Sequence, residues 1–394
     1  MNNGKTIFSQ LIEFLPKRDF RRCVARYAGN HRVRTFSCWD QFLCMAFAQL
    51  TYRESLRDIE TCLRAVDLKL YQLGIHGKVS RSTIADANDT RDWRIFEEFG
   101  KIVIKEAQAV LCNDTELLTE VTNAVYALDS TVIEVCLNLF PWAFFTERES
   151  KGGVKVHTLL DVKRHIPVFI DITERKVHDA HALDKFAMEP GAFYVMDRAY
   201  SDWKRLYRIT TAGAFFVVRT KKNTALKRIR SLEIDKATGV RSDQIVRTSA
   251  LNKRYRRKYP AHLRRVAFFD EENHRRLVFL TNNFDLPART IADLYKSRWQ
   301  IELFFKWVKQ HLRIKKFYGN SKNAIKTQIW IAVTIYVLVA IAKKRLELQL
   351  SLYSILQVLS VMLFEKEPIL QALSAHDHIL EKENQSKQLN LFGE

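Results

Sequence analysis

From Ile7 to about Leu118, apolar residues recur every three to four positions, as in FSQLIEFL, WDQFLCMAFAQL and LRDIETCL, and no alternating stretch interrupts them. That spacing predicts a run of amphipathic helices, each burying one stripe. Two shorter segments, Tyr52 to Val66 and Ser80 to Asn88, flank the turn GIHGKV, with Ser80 or Ser82 placed to cap the second helix. They fit either a helix-turn-helix pair or ordinary members of a bundle. After Asn123 the pattern becomes short β runs: AVYALDST, VKVHTLLDVK, PVFIDITE, FYVMDRA and AFFVVRT, with a helical pattern from Asp202 to Thr211 before the last. Such an order predicts a mixed α/β sheet. Lys221 to Leu286 alternates basic and β-branched residues and holds a hairpin around Asp270 to Asn273, which reads as a β-rich insertion. Helices resume at Ile325 and end in a polar tail, Glu381 to Glu394, expected to fray.

One helical segment stands out. In LYKSRWQIELFFKWVKQHL, from Leu294 to Leu312, four polar residues, Tyr295, Arg298, Glu302 and Lys309, project within roughly 60° of one another at about 100° per residue. Leu294, Ile301, Phe304, Trp307, Val308 and Leu312 occupy the opposite side. A carboxylate ringed by Tyr, Arg and Lys suits a site that holds a metal ion and phosphate together, the cations contacting phosphate oxygens and the carboxylate contacting metal. The competing reading is an amphipathic helix with a solvated polar face.

Charge narrows the partner. The chain has 394 residues and a formal net charge of +20, and its hydrophobic fraction of 47% suffices for two or three packed units. Between Lys221 and Arg265 there are 15 Lys or Arg against three acids, Glu233, Asp235 and Asp243. A patch so concentrated implies an anionic partner, because like charges held together repel. The apolar run Ile329 to Ala342 is shorter than the ~20 residues of a spanning helix and reads as core. The N-terminus lacks the pattern of a secretory signal, so a cytoplasmic, nucleoid-associated protein is expected, with no membrane partner. Six scattered cysteines form no C-x-x-C pair and read as reduced core residues. His178 and His181 read as loop or cap residues rather than zinc ligands.

The spacing Y-x2-R-x3-E-x6-K, matched by Tyr295, Arg298, Glu302 and Lys309, resembles the signature of bacterial DDE transposases of the insertion sequence four family. In that family the Glu completes an Asp, Asp, Glu triad, and VYALDST and FYVMDRAY offer Asp129 and Asp197, each expected at the end of a short strand. The resemblance covers roughly Asn123 to Lys316 and implies a ribonuclease H-like catalytic core, with Asp129 on its first strand and Asp197 on its fourth. It further implies that Asp129, Asp197 and Glu302 are catalytic and bind two Mg²⁺ or Mn²⁺ ions, while Tyr295, Arg298 and Lys309 hold phosphates flanking the scissile bond. Trp299, beside the same stripe, is a candidate for stacking on a displaced base, against the reading of a buried core Trp. Lys253, Arg254, Arg256 and Arg257 form a candidate DNA-binding patch.

The expected organisation is a helical DNA-binding domain over 1–118, a catalytic domain over 119–320 with the basic β-rich insertion at 221–287, and C-terminal helices with the tail over 321–394. The expected activity is binding of terminal inverted repeats, then metal-dependent cleavage and strand transfer through a hairpin, with double-stranded DNA as partner and a homodimer pairing the ends. A catalytically inactive DNA-binding relative is the alternative. A structure-selective nuclease of the same fold ranks third, since it leaves the Tyr, Arg and Lys unexplained.

Overall fold

A computed structural model describes residues 4–76, 79–111, 121–136, 151–220, 224–248, 259–310 and 317–374. The chain divides into two compact units, Met1–Cys112 with Lys306–Glu394, and Asn113–Phe305. The helices expected as separate N-terminal and C-terminal parts therefore share one unit.

In the helical unit, local chemistry starts most elements. Ser37 caps Cys38–Leu50 in a capping box with Asp40, and Ser55, Ser80, Ser321 and Ser351 cap Leu56–Ala65, Arg81–Thr90, Lys322–Arg345 and Leu352–Met362. Ser80 is thus the cap foreseen for the second of the paired segments. Between that pair, Asp67–Leu70 and Tyr71–Leu73 form further short helices, so the connection is longer than a compact helix-turn-helix turn. Lys322–Arg345 extends well past the apolar run that marks it and is long and apolar enough to cross a membrane. Here it is the central core helix, packed against Arg94–Val110, Cys38–Leu50 and Arg81–Thr90. Gly100 allows its close approach to Arg94–Val110, since a Cβ there would meet the Trp330 ring and the Thr334 hydroxyl at 3.0 Å. Asn323 ties in its first turn, donating to the carbonyls of Asn88 at 2.8 Å and Arg91 at 2.6 Å. Cys23, Cys38 and Cys44 are buried free thiols, as read from their scatter.

The second unit is built on a nine-stranded sheet of β1 Val125–Cys136, β2 Lys151–Asp161, β3 Ile166–Glu174, β4 Phe193–Met196, β5 Phe215–Arg219, β6 Leu226–Ser231, β7 Val240–Thr248, β8 Leu263–Asp270 and β9 Arg275–Thr281. Their spatial order is β3-β2-β1-β4-β5-β9-β8-β7-β6. β4 lies parallel to β1 and to β5, while the pairs β1–β2, β2–β3 and β5–β9 are antiparallel. The hairpin foreseen around Asp270 to Asn273 is β8–β9. Because β9 pairs with β5, the four strands of the basic insertion extend the same sheet instead of forming a separate body.

In the central strands β4 and β5, strand alternation places buried residues on both faces of the sheet. Leu128, Tyr194, Met196, Phe216 and Val218 share a core with Leu206 and Ile209 of the helix Trp203–Thr211. The helix Ala288–Ser297 packs against β4, β5, β7 and β8, and its Tyr295 ring lies 4.6 Å from that of Phe279 on β9. Asp129 falls in the alternation of Val125 and Ala127, and Asp197 in that of Val195, which sets both on one face.

Candidate active site

Asp129 sits in the interior of β1, not at its end as expected, because the strand continues to Cys136 in unbroken register with β2. Asp197 directly follows β4 and begins the 3₁₀ turn Arg198–Tyr200. Since Leu128 pairs with Met196 across the parallel β1–β4 ladder, the next residue on each strand is an aspartate, and two carboxylates stand side by side. Neighbouring strands lie about 4.8 Å apart, so this pairing alone brings the groups together.

The third carboxylate arrives by a different route. The single helix expected over 294–312 is divided into Ala288–Ser297 and Trp299–Gln310, with Arg298 at the junction. The Arg298 amide bonds the Tyr295 carbonyl at 3.1 Å, and the Ile301 amide bonds the Arg298 carbonyl at 3.1 Å. These three-residue bonds overwind the chain locally, so the uniform stripe drawn for a continuous α-helix does not hold through Arg298. Glu302 lies in the first turn of the second helix and Lys309 in its last.

Arg298 draws the site together. One guanidinium nitrogen donates to Asp129 Oδ2 at 2.7 Å and the other to Glu302 Oε1, while the Tyr295 hydroxyl donates a long bond of 3.4 Å to Asp197 Oδ1. Burial pushes the Asp129 carboxyl up to about 6; the Arg298 charge opposes that rise, and Asp197 and Glu302 add to it. Arg298 Nε is buried without a hydrogen-bond partner among the described residues. Trp299 is 58% exposed, which overturns the reading of a buried Trp. Leu294, Ile301, Phe304, Trp307 and Val308 are buried as expected. Leu312 and the patch Lys253, Arg254, Arg256 and Arg257 lie outside the described residues.

A polar network beside Asp129 escaped the motif. The Ser130 amide donates to Asp129 Oδ1 at 2.8 Å, and the Ser130 hydroxyl donates to Asp179 Oδ1 at 2.7 Å. Lys155 lies 3.1 Å from that same oxygen and also donates to the Val177 carbonyl at 2.7 Å. Burial raises the Asp179 carboxyl, but the Ser130 hydroxyl and the Lys155 ammonium outweigh it and hold the group below its usual value. The segment had drawn notice for its histidines, whereas the residue that reaches the site is the aspartate between them. His178 is a cap, accepting the Ala180 amide at 3.2 Å.

Three carboxylates offer oxygen donors alone, which suits Mg²⁺ or Mn²⁺ better than softer ions. Among the described residues no three acidic, His or Cys groups close around one point as they stand. The Arg298 guanidinium already bridges two of the three, so a cation of the protein stands in the negative field that a metal would use. The donor set fits a divalent ion provided that Arg298 turns aside.

Residues 122–338 match the family described as "Transposase DDE domain", and residues 3–76 match "Domain of unknown function (DUF4372)". A putative transposase of Sinorhizobium fredii, y4zB, is 34% identical over 73% of this chain and 78% of its own length. A probable transposase for insertion sequence element IS5377 of Geobacillus stearothermophilus is 34% identical over 54% of each chain. A putative transposase for insertion sequence element IS4SA of a Synechocystis strain is 24% identical over 81% of this chain and 87% of its own length. A solved piggyBac transposase synaptic complex with hairpin DNA has a TM-score of 0.44 at 11% identity, covering 93% of this chain and 80% of that one.

Proposed function

This chain belongs to the DDE-domain transposases of insertion sequences, and from that membership we infer that Asp129, Asp197 and Glu302 are its catalytic carboxylates, cutting and joining DNA at the ends of its own element. The observation that carries the assignment is the adjacency of Asp129 and Asp197 across β1–β4, with Glu302 tied to Asp129 through Arg298. The order β3-β2-β1-β4-β5 of the first five strands, antiparallel in the first two pairings and parallel in the next two, supports a ribonuclease H-like core.

Two divalent ions, Mg²⁺ or Mn²⁺, would supply the positive charge that activates an attacking oxygen and stabilises a leaving one. The protein's own part is to hold Asp129, Asp197 and Glu302 on a rigid strand pair and a helix. When a DNA phosphate enters, Arg298 exchanges its carboxylate partners for phosphate oxygens, an exchange suited to a bidentate fork. Tyr295 and Lys309 supply further phosphate donors, positioning the strand without reading its sequence. Exposed Trp299 stacks on a base displaced as a hairpin forms.

The helical region within 1–118 binds DNA, aided by the patch Lys253, Arg254, Arg256 and Arg257, and two copies of the chain pair the ends as a homodimer. Time courses on denaturing gels test the route. A duplex ending in the terminal repeat should be nicked first and then converted to a hairpin in Mg²⁺; nicks that pass to joined products with no hairpin contradict it.

A further inference from the structure

We infer that the domain of unknown function at residues 3–76 grips the phosphate backbone of duplex DNA through a cationic cleft between the helix Lys17–Arg26 and the loop that follows it. The identity of the anion rests on the transposase reading above; the cleft itself rests on charge and geometry.

Between Lys17 and Arg34 there are seven Lys or Arg and one acid, Asp19. The helix Lys17–Arg26 buries Phe20, Cys23 and Val24 and turns its cations outward. Two are neutralised: Arg22 pairs with Asp19 at 2.9 Å and Arg26 with Glu98 at 2.8 Å. Lys17, Arg18, Arg21, Arg32 and Arg34 are exposed and form no ion pair with a carboxylate among the described residues. Lys17, Arg21, His31, Arg34 and His76 line a cleft of about 850 Å³ whose wall includes Trp39. The acid lining it, Asp40, is buried and engaged, accepting the Ser37 amide at 2.8 Å and the His76 amide at 3.3 Å. Lys17, Arg21 and Arg34 thus outnumber the buried carboxylate of Asp40 in the lining, and that excess of positive charge costs self-repulsion until an anion enters.

The cations are carried on a fixed frame. Gly29 approaches so closely that a Cβ there would lie 2.4 Å from Ile95 Cδ1 and 2.8 Å from Cys38 Sγ. Asn30 accepts the Cys38 amide at 2.8 Å, and half-buried Arg91 donates to the carbonyls of Ser37, at 2.8 Å, and Phe36. A loop pinned at both ends while displaying unpaired cations pays little ordering entropy on binding a rigid polyanion. Arg and Lys around a broad opening match phosphates, which carry no base identity, so this surface positions the duplex and leaves sequence selection to other parts of the chain.

The test uses the full chain and two labelled duplexes, one bearing the element's terminal repeat and one of scrambled sequence. Replacing Lys17, Arg21 and Arg34 together by Gln should lower the slope of log affinity against log salt by about 2.7, at about 0.9 for each phosphate no longer neutralised, and equally on both duplexes. The variant Arg21→Lys with Arg34→Lys keeps the charge and should keep the slope. An unchanged slope in the Gln variant overturns the inference, as does a weakening seen only on vesicles containing phosphatidylserine, which would reassign the cleft to anionic membrane. Cleavage is scored separately. Wild-type cutting with an unchanged salt slope removes the cleft and leaves the transposase reading intact; a lowered slope in a protein that never cuts does the reverse.

Discussion

Two arginine–carboxylate groups in the sheet unit are similar in composition and opposite in character. Arg264 and Asp243 form a two-pronged pair, Nε to Oδ1 at 3.0 Å and Nη2 to Oδ2 at 2.7 Å, with the remaining Nη1 on the Leu286 carbonyl at 2.6 Å. Both side chains are almost fully buried, and each guanidinium nitrogen has a partner. Arg298, by contrast, is shared between Asp129 and Glu302, leaves its Nε without a partner among the described residues, and has Asp197 close enough to raise Asp129 further. The first group is closed and can only hold the sheet together. The second carries more negative charge than its one cation balances, as a site that recruits a cation and an anionic substrate needs.

Breaking the closed pair should have the largest effect on stability. Asp243→Ala strands a buried guanidinium and is expected to cost about 3–5 kcal/mol in urea denaturation. The open site should respond in the opposite sense. Asp129 is raised in the folded protein from 3.8 to about 6, so its ionisation disfavours folding, and that contribution to stability is complete below pH 3.8 and lost as pH rises through 6. Asp129→Asn should therefore leave the fold intact and raise the urea midpoint above pH 6, with the gain vanishing near pH 4. A midpoint lowered at every pH would place Asp129 with Asp243 as a structural partner.

The smallest expected effect sharpens the contrast around Ser130. If Asp179 orients Asp129 through the Ser130 hydroxyl, Ser130→Ala and Asp179→Asn should each slow cleavage several-fold at saturating DNA without changing DNA affinity. Combined, they should cost little more than either alone, the non-additivity expected of residues in one network. Ser130→Thr, which retains the hydroxyl, should restore the rate, and full additivity would separate the two residues.

Much of the cluster was legible because it is local in sequence: the spacing of Tyr295, Arg298 and Glu302, and an aspartate at each of two apolar runs. Other features depend on packing between distant residues. Nothing in the alternation of Lys221 to Leu286 reveals that β9 pairs with β5, since register between remote strands is set by packing on both faces. The break at Arg298 escaped a uniform helical period because both flanking segments are good helices on their own. Asp179 was hidden by the histidines around it, and the exposure of Trp299 contradicted the usual fate of a tryptophan.

The most direct measurement is cleavage of a labelled duplex carrying the element's terminal repeat, in Mg²⁺ or in EDTA, by wild type and by Glu302→Ala. The carboxylate assignment predicts nicking at the repeat boundary that requires the metal and disappears in the variant while end binding persists. Cleavage retained by purified Glu302→Ala, or binding by wild type with no cleavage in Mg²⁺ or Mn²⁺, would contradict it.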